Sequence, residues 1–312
     1  MSILVTGGTG FLGKRLVEML LEKNEDIIIF ARKEDPELVR KKVKFVLGDI
    51  RNKDDLEKGF SNAKIVYHLA ASIDSDDPNL HDINVNGTRN VVELCKRNNV
   101  KRLIFMSSSA TLGSVKFATE ASPYAPKSKY GQTKVESEKI VMNSGVPYTI
   151  IRAPILMGNN DIWLKILKAA KKRFPIIGSG ENKFHNAYVD DVADLLVLVK
   201  DNKKAENEIF HIATKDVPTY EETYRMMAEE LGTQMPKIHI PAFAMRLLSS
   251  IATFLLGSKT PLTLRKDNIG RLITDRTFSI EKAKAILNFV PKYDTRTALK
   301  EMIDYFKEKD ML

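Results

Sequence analysis

The sequence predicts an α/β protein in which helices cover both faces of a doubly wound parallel sheet, with a smaller, mainly helical domain after it. Two observations lead to this fold class. Short apolar runs alternate with helical patterns through the first half of the chain, as in parallel sheets with crossover helices. From Thr219 onward the spacing of apolar residues is mainly helical.

The first half contains six strand-like runs and three clear helical patterns. Each strand-like run is short and mostly apolar, as buried parallel strands are. Each helical pattern repeats apolar residues every three or four positions. We predict strands near residues 2–5, 27–31, 43–47, 65–69, 102–106 and 148–152, and helices near residues 12–23, 80–98 and 127–143.

The pattern changes after Arg152, where the second half of the chain begins. The elements predicted there are helices near residues 163–172 and 190–200, a loop at 175–180, and a strand at 208–213 that rejoins the sheet. The chain is therefore divided into two parts. The sheet domain takes residues 1–153 and about 187–213, and the smaller, substrate-binding domain takes residues 154–186 and 214–312.

Composition indicates an ordinary globular protein from a reducing compartment. Of the 312 residues, 43% are hydrophobic and 29% are charged. The single cysteine, Cys95, excludes internal disulfides, and its place on an apolar helical face favours a buried structural thiol. Because the chain enters its first strand at once, we expect no signal peptide and a cytoplasmic location.

The net charge of +9 raises the question of nucleic-acid binding. However, the lysines are spread over many helices, and the basic clusters at 40–42 and 171–173 contain no interleaved aromatic residues. Such a distribution is typical of a solvated surface, so we expect a small-molecule substrate and no nucleic-acid partner. The histidines show no metal-ligand spacing, so we also expect no metal site.

A glycine-rich turn follows the first predicted strand, where Thr6 to Gly13 reads TGGTGFLG. Its spaced glycines, Gly7, Gly10 and Gly13, lie between a strand and an amphipathic helix. Without side chains the backbone can bend there and approach a pyrophosphate, whose charge the helix N-terminus favours. The turn therefore predicts dinucleotide binding by a Rossmann-type sheet.

A tyrosine and a lysine four residues apart, Tyr130 and Lys134, follow the fifth predicted strand and its cluster Ser107, Ser108 and Ser109. On a helix this spacing puts both side chains on one face. A lysine ammonium near a phenol lowers the tyrosine pKa from about 10 toward neutrality. Because ligands bind at the carboxyl ends of such strands, the pair predicts acid–base catalysis, with a plain surface pair as the alternative.

Motifs in a fixed order resemble the extended short-chain dehydrogenase/reductase family, in its NAD(P)-dependent epimerase/dehydratase-like form. The likeness covers nearly the whole chain. The motifs are TGGTGFLG, Gly48-Asp49-Ile50, Tyr67-His68-Leu69-Ala70-Ala71, Asn84-Val85-Asn86-Gly87-Thr88, FMSSSATLG at 105–113, the Tyr130/Lys134 pair, Arg152-Ala153-Pro154, and Tyr188-Val189-Asp190-Asp191-Val192-Ala193.

The resemblance implies an enzyme with a catalytic set of Ser108, Tyr130 and Lys134. Tyr130 would exchange a proton with the reacting oxygen. Lys134 would hold the nicotinamide ribose and depress the pKa of Tyr130. A serine would hydrogen-bond the substrate oxygen, and its spacing from the strand favours Ser108, with Ser109 and Ser107 as alternatives.

The resemblance also implies a set of cofactor contacts. Asp49 and Ile50 match a pair that contacts adenine, and Pro154 matches the residue whose neighbouring backbone meets the nicotinamide amide. Asn84 matches an asparagine that orders the active site, with a helix cap as the alternative, and His68 is expected to be structural. The implied cofactor-binding residues are Gly7, Thr9, Gly10, Phe11, Leu12, Gly13, Arg32, Asp49, Ile50, Leu69, Ala70, Ala71, Asn84, Ser107, Tyr130, Lys134 and Pro154.

The end of the second strand favours NADP as the cofactor. NAD-binding sheets place an acid there, about 20 residues past the glycines, to bond the ribose 2′-hydroxyl. Here the strand ends with Ala31 and Arg32, and an arginine can pair with a 2′-phosphate. Glu34 and Asp35 follow directly, so a shifted register leaves NAD as the alternative.

Phe184 helps to predict the chemical class of the substrate. In the family, enzymes of nucleotide sugars carry an arginine for the substrate diphosphate at the position that aligns with Phe184, although Lys183 could serve. Segments 241–257 and 261–263 resemble the branch of dihydroflavonol reductases and 3β-hydroxysteroid dehydrogenases. We therefore expect hydride transfer between nicotinamide and a carbonyl or alcohol carbon of a small apolar substrate. A nucleotide-sugar epimerase or dehydratase with tightly bound NAD is the alternative.

The apolar part of segment 241–257 is too short to span a bilayer. Its favoured interpretation is core packing of the smaller domain. A pocket wall, a contact in the expected homodimer, or a membrane-surface face are the alternatives. The apolar residues concerned are Phe243, Met245, Leu247, Leu248, Ile251, Phe254 and Leu255.

Overall fold

The computed structural model describes residues 2–256, 270 and 272–312, and its strands number eleven within that part of the chain. The predicted segment 261–263 and the end of segment 241–257 lie outside the described residues. The strands are β1 (Ser2–Thr6), β2 (Asp26–Ala31), β3 (Lys44–Leu47), β4 (Ala63–His68), β5 (Arg102–Ser108), β6 (Tyr148–Ala153), β7 (Ile155–Met157), β8 (Ile176–Ile177), β9 (Asn186–Tyr188), β10 (Glu208–His211) and β11 (His239–Ile240).

The helices connect these strands and continue beyond them. A five-residue π-helical turn, Asp82–Asn86, leads into α4, and a 3₁₀ turn, Ser109–Thr111, follows β5. The helices are α1 (Phe11–Glu22), α2 (Pro36–Arg40), α3 (Lys53–Gly59), α4 (Gly87–Arg97), α5 (Lys129–Met142), α6 (Asp161–Lys171), α7 (Val189–Val199), α8 (Tyr220–Glu230), α9 (Ala242–Leu256), α10 (Glu281–Leu287) and α11 (Thr295–Glu308).

Seven strands form one parallel sheet in the order β10-β6-β5-β4-β1-β2-β3. The chain runs outward from β1 to β3 and then crosses back to β4 on the other side of β1. This reversal opens a crevice at the carboxyl ends of β1 and β4, where doubly wound sheets bind ligands. The observed sheet confirms the predicted fold class.

The two faces of the sheet carry separate cores because side chains alternate along each strand. Ile3 and Val5 pack with α1 and α7, whereas Leu4 lies between them and packs with the opposite core beneath α3, α4 and α5. Helices α1 and α7 are also joined by Arg15, which donates to both carboxylate oxygens of Asp190 at 2.8 and 2.9 Å.

A third core lies among α6, α8 and α11, where Trp163, Leu167, Tyr224 and Met302 are buried together. Two small parallel pairs, β7 with β9 and β8 with β11, complete this half of the molecule. Apart from Ala187 and Tyr188 of β9, the residues of this core and of these pairs fall in the segments predicted for the smaller domain. The domain boundaries themselves stay a prediction.

All six predicted strands of the first half are confirmed, each within two residues at either end, and β10 confirms the strand that rejoins the sheet. The short helices α2 and α3 are absent from the prediction although each has a clear start. Asp35 caps α2, which begins with Pro36, and Asn52 caps α3. Cys95 is buried, which raises the pKa of its thiol and confirms a structural role.

The prediction of core packing for α9 is wrong for six of the seven apolar residues that it named. Met245 is only 3% exposed, whereas Phe243 is 74% and Phe254 88% exposed. The physical reason is that a helical spacing of apolar residues identifies a face but not what covers that face. The other exposed members are Leu247, Leu248, Ile251 and Leu255.

Candidate active site

The glycine turn after β1 is folded so tightly that no side chain fits at Gly7 or Gly13. Gly7 has a φ of +77°, and its carbonyl accepts a hydrogen bond from the Gly10 N–H at 3.0 Å. A Cβ at Gly13 would lie 2.1 Å from the Gly7 carbonyl oxygen, and a Cβ at Gly7 would lie 2.6 Å from the Ala70 nitrogen. The turn therefore needs glycine at both positions.

Helix α1 starts directly at this turn. Gly10 precedes it and offers no side-chain cap, and its first turn contains no acidic residue. The first N–H groups of the helix are therefore donors for an anion placed at the turn. Leu12 is buried in the core and Thr9 is half-buried, so at Leu12 only the backbone can meet a ligand.

The chain leaving β4 runs alongside the turn. Leu69 donates its N–H to the Thr6 carbonyl at 3.0 Å, which continues the pairing of β4 with β1 past the last strand residue. Ala70 and Ala71 follow, half-buried and exposed. Their role as residues along which a cofactor lies stays a prediction.

His68, at the end of β4, is fully enclosed and has a structural role. Its Nδ1 lies 2.7 Å from the Thr6 hydroxyl and its Nε2 lies 3.0 Å from the Thr88 hydroxyl. Because Thr88 donates its proton to the Asn84 carbonyl, it accepts from the Nε2–H, and Thr6 donates to Nδ1. Burial, with a smaller contribution from Lys134, lowers the pKa of His68 to about 3, so the ring stays neutral.

Helix α5 brings Tyr130 and Lys134 to the same edge of the sheet. Ser128 caps the helix by accepting from the Gly131 N–H at 3.1 Å. A Cβ at Gly131 would lie 2.6 Å from the Ala110 carbonyl oxygen, so the first helical turn is pressed against the loop that follows β5. Tyr130 in this turn is half-buried.

Lys134 is 3% exposed, one helical turn beyond Tyr130. Its ammonium donates to the Met106 carbonyl at 2.7 Å and lies 4.1 Å from the centre of the Phe105 ring. Burial lowers the pKa of Lys134 from 10.5 to about 7, although the Glu138 carboxylate acts in the opposite direction. The lysine can therefore change its charge near neutral pH.

Asn84 ties this part of α5 to the loop after β4 and does not cap a helix. Its side chain accepts from the Ser72 N–H at 2.8 Å and donates to the Ser72 carbonyl at 2.9 Å and to the Thr133 hydroxyl at 3.0 Å. Thr133 in turn donates to the Tyr130 carbonyl at 2.8 Å. Asn84 therefore positions the helical turn that carries Tyr130.

The three serines after β5 have different surroundings. Ser107 is buried and donates its hydroxyl to Glu138, so its side chain is already engaged inside the protein. Ser109 is also buried. Ser108 is half-buried and accepts from the Ala110 N–H at 3.1 Å, which leaves its hydroxyl proton to donate. The geometry thus favours Ser108 for a substrate contact.

Glu138 and Arg152 form a buried pair that the sequence reading did not identify. The guanidinium of Arg152 donates to both carboxylate oxygens of Glu138 at 2.7 and 2.9 Å, and Tyr124 donates to the same carboxylate at 2.7 Å. Glu138 is 0% exposed and Arg152 2%. One signal was available, because Arg152 interrupts the apolar strand β6 and Glu138 lies one turn beyond Lys134.

Asp49, Ile50 and Arg32 lie at the other end of the crevice, past β3 and β2. The Asp49 carboxylate accepts from the Arg51 guanidinium at 2.8 and 3.0 Å, and this contact lowers the pKa of Asp49, with a small contribution from Arg32. Ile50 is buried, and a Cβ at Gly87 would lie 2.6 Å from it. Arg32 is exposed.

Asp35, the second of the two acids that follow Arg32 and Lys33 in the sequence, already has partners. Its carboxylate accepts from the Glu37 and Leu38 N–H groups at 3.1 and 3.2 Å, and it pairs with Lys14 at 2.6 Å. These contacts lower the pKa of Asp35. They hold the carboxylate in place as the cap of α2.

On the substrate side, Pro154 is half-buried between β6 and β7. Phe184 is also half-buried, and its ring lies 6.0 Å from that of Tyr220. The position at which the resemblance implies an arginine in enzymes of nucleotide sugars is therefore part of an aromatic pair. Within residues 2–256 and 272–312, no three His, Cys, Asp or Glu side chains are grouped to hold a metal.

The chain is similar to proteins named as hydroxysteroid or sterol dehydrogenases and to one named as a putative UDP-glucose 4-epimerase. A model of the NAD dependent epimerase/dehydratase family matches residues 3–213. A 3beta-hydroxysteroid-dehydrogenase/decarboxylase from Arabidopsis thaliana is 31% identical over 97% of this chain and 79% of its own length. A decarboxylating sterol-4-alpha-carboxylate 3-dehydrogenase from Saccharomyces cerevisiae is 29% identical over 98% of both chains.

Solved structures share the whole fold. The UDP-glucose 4-epimerase of Thermotoga maritima, solved with UDP-glucose, has a TM-score of 0.80 to this chain at 24% identity. The alignment covers 99% of each chain, so the C-terminal half is included in the shared fold.

Proposed function

This chain belongs to the NAD dependent epimerase/dehydratase family, and we propose that it is an NADP-dependent oxidoreductase of an apolar substrate. The family membership agrees with the resemblance drawn from the motifs. The observation that carries the proposed reaction is that Tyr130 and Lys134 lie one turn apart on α5, with the Lys134 ammonium bonded to the Met106 carbonyl near the carboxyl end of β5. The reaction interconverts a carbonyl and an alcohol.

The residues at the crevice fit a dinucleotide. A Cβ would fill the space at Gly7 and Gly13, and the first N–H groups of α1 lack a side-chain cap. These groups would hold the pyrophosphate, and Lys134 would hold the nicotinamide ribose. The bound nicotinamide supplies or accepts the hydride.

Residues of the chain would transfer the proton and hydrogen-bond the substrate oxygen. Tyr130 would donate its phenolic proton to the oxygen of a carbonyl substrate, or take the proton of an alcohol. Ser108 would donate a hydrogen bond to the same oxygen. Asn84 and Thr133 would keep the Tyr130 turn in position through their bonded chain.

NADP is favoured over NAD because of the charges near the end of β2. Arg32 is exposed there, whereas Asp35 is engaged with Lys14 and with the start of α2. A 2′-phosphate would gain a charge-assisted contact with Arg32. A ribose 2′-hydroxyl would find Asp35 already bonded.

The Arg32→Asp variant tests this choice of cofactor. We expect it to weaken NADPH binding by about 1.5–3 kcal/mol, the range of a hydrogen bond to a charged group, and to leave NADH binding unchanged or stronger. Fluorescence titration measures both affinities. Lys165→Asp, an exposed substitution on α6, is the control for net charge. Equal losses for the two cofactors would contradict the assignment.

An apolar substrate is supported by two observations. The relatives from Arabidopsis and yeast are named for hydroxysteroid and sterol substrates. Phe184 lies against Tyr220 in place of an arginine that would bind a diphosphate. We therefore propose a 3-hydroxy or 3-keto group on a fused-ring apolar molecule as the reacting group.

A coupled assay tests the proposed reaction directly. The purified protein is incubated with a panel of 3β-hydroxysteroids and NADP, and the reduced cofactor is followed by its absorbance. Turnover of at least one member supports the proposal. Micromolar binding of uridine diphosphate outside the cofactor site, measured by calorimetry, together with no turnover of the panel, would favour the nucleotide-sugar alternative.

A further inference from the structure

Helix α9 presents a continuous apolar face to the solvent. At 100° per residue its exposed apolar side chains fall within an arc of about 140°. Exposed fractions on this arc reach 88% at Phe254, and the lowest is 47% at Ile251. The arc consists of Phe243, Leu247, Leu248, Ile251, Phe254 and Leu255.

The opposite side of α9 makes the contact with the protein, and that contact is narrow. Among residues 242–255, Met245 is the apolar residue that is buried, and it packs with Ile177 in a small cluster beside Ile240 and Ile273. This cluster is separate from the three large cores. The exposed arc is therefore not the side on which the helix is anchored.

The charged residues in the stretch of sequence that contains α9 have one sign. Residues 231–266 contain five lysines and arginines and no aspartate or glutamate, in a chain with 49 basic and 40 acidic residues. Two of these cations are exposed, namely Lys237 just before the helix and Arg246, which lies about 60° beyond the Phe243 end of the arc. A second copy of the chain on this face would bring like charges together, whereas an anionic surface would complement them.

We propose that α9 lies flat on an anionic lipid bilayer, with its apolar arc at the headgroup boundary and Lys237 and Arg246 near lipid phosphates. A 15-residue helix is about 22 Å long and cannot cross the hydrocarbon core. In the described part of the chain, no helix meets the length and apolarity of a membrane span. This inference does not depend on the proposed reaction.

Vesicle co-sedimentation tests the proposal with the full chain. We expect binding to vesicles of equal parts phosphatidylcholine and phosphatidylglycerol, and weaker binding to pure phosphatidylcholine or in high salt. The double variant Leu247→Asp and Phe254→Asp should bind the anionic vesicles at least about tenfold more weakly. The control Ile162→Asp and Val290→Asp alters residues 54% and 57% exposed elsewhere and should bind like wild type.

A second measurement does not depend on added charge. A dye sensitive to its surroundings is attached at Leu248→Cys, and at Ile162→Cys as the control, since the native Cys95 is buried. We expect a blue shift on anionic vesicles for the first position alone. Equal binding by both double variants, or equal dye shifts, would overturn the proposal. The proposal would also be overturned if the protein did not bind vesicles and instead formed a concentration-dependent dimer that the double variant of α9 abolished.

Discussion

Tyr130 and Lys134 perform separable tasks in the proposed reaction, which makes single substitutions informative. Tyr130→Phe removes the phenolic proton but keeps the ring, so turnover should fall by about 10²–10⁴-fold. NADPH affinity should stay near that of wild type. Steady-state rates and fluorescence titration measure the two effects, with Tyr305→Phe on the exposed side of α11 as the control. A Tyr130→Phe enzyme with more than about a tenth of wild-type activity would exclude the proton-transfer role.

The depressed pKa of Lys134 predicts a pH dependence of stability. Its pKa is about 7 when folded and has its ordinary value of 10.5 when unfolded. Between these values the unfolded chain holds a proton that the folded protein has released, so the free energy of unfolding rises with pH across this window. Below about pH 7 both states hold the proton and this contribution becomes constant.

Urea unfolding of wild type and of Lys134→Met from pH 7 to 10 measures this effect. Wild type should gain stability relative to the variant, by up to about 1.4 kcal/mol per pH unit. Lys139→Met, exposed on the same helix, should keep the wild-type slope. Parallel slopes for wild type and Lys134→Met would show that the lysine is not desolvated.

At the scale of elements, the Glu138–Arg152 pair joins α5 to β6. Because both side chains are buried, Glu138→Gln leaves a guanidinium charge without its partner and should cost about 3–5 kcal/mol of unfolding free energy. Glu229→Gln breaks the exposed pair with Arg296 and should cost less than about 1 kcal/mol. Chemical denaturation compares them. Similar losses would mean that the buried pair contributes no more than a surface pair.

A strand or helix could be predicted from the sequence where the pattern of its own residues is enough to indicate it. The strands of the sheet are continuous apolar runs because both faces are covered, and that pattern is local. Strands β8 and β11 have two residues each, too few for any periodicity, and their pairing depends on the surrounding packing. The π-turn Asp82–Asn86 was also missed, because the Thr88 and Ser137 hydroxyls that bond its Asn84 carbonyl come from α4 and α5.

The same distinction applies to the site. The glycine turn could be located because steric exclusion acts within a few residues, at Gly7 and Gly13. Glu138 was missed, because the charge of Arg152 in an apolar strand signals a buried partner but does not say which residue it is, and the other partners Ser107 and Tyr124 come from separate segments. The roles of Ser108, Tyr130 and the cofactor contacts stay predictions until the substitutions are measured.

At the scale of the whole molecule, the first half of the chain is not expected to fold alone. Leu16, Val17 and Leu20 of α1 share a core with Leu195 and Leu196 of α7, far along the chain. A fragment of residues 1–153 would therefore expose this face. We expect it to bind a hydrophobic dye and to melt without a cooperative transition, whereas the full chain melts cooperatively. A cooperative fragment with the melting temperature of the full chain would contradict this dependence.

The packing of α1 on α7 also affects how the protein emerges during synthesis. Helix α1 ends at Glu22 and α7 ends at Val199, so a ribosome needs roughly 10–35 s to add the intervening chain. Throughout that interval the nascent sheet carries an apolar surface on one side, while the helices that cover the other side are made early. A chaperone that binds nascent chains would meet this protein mainly on the α1 face, and release would follow completion of α7.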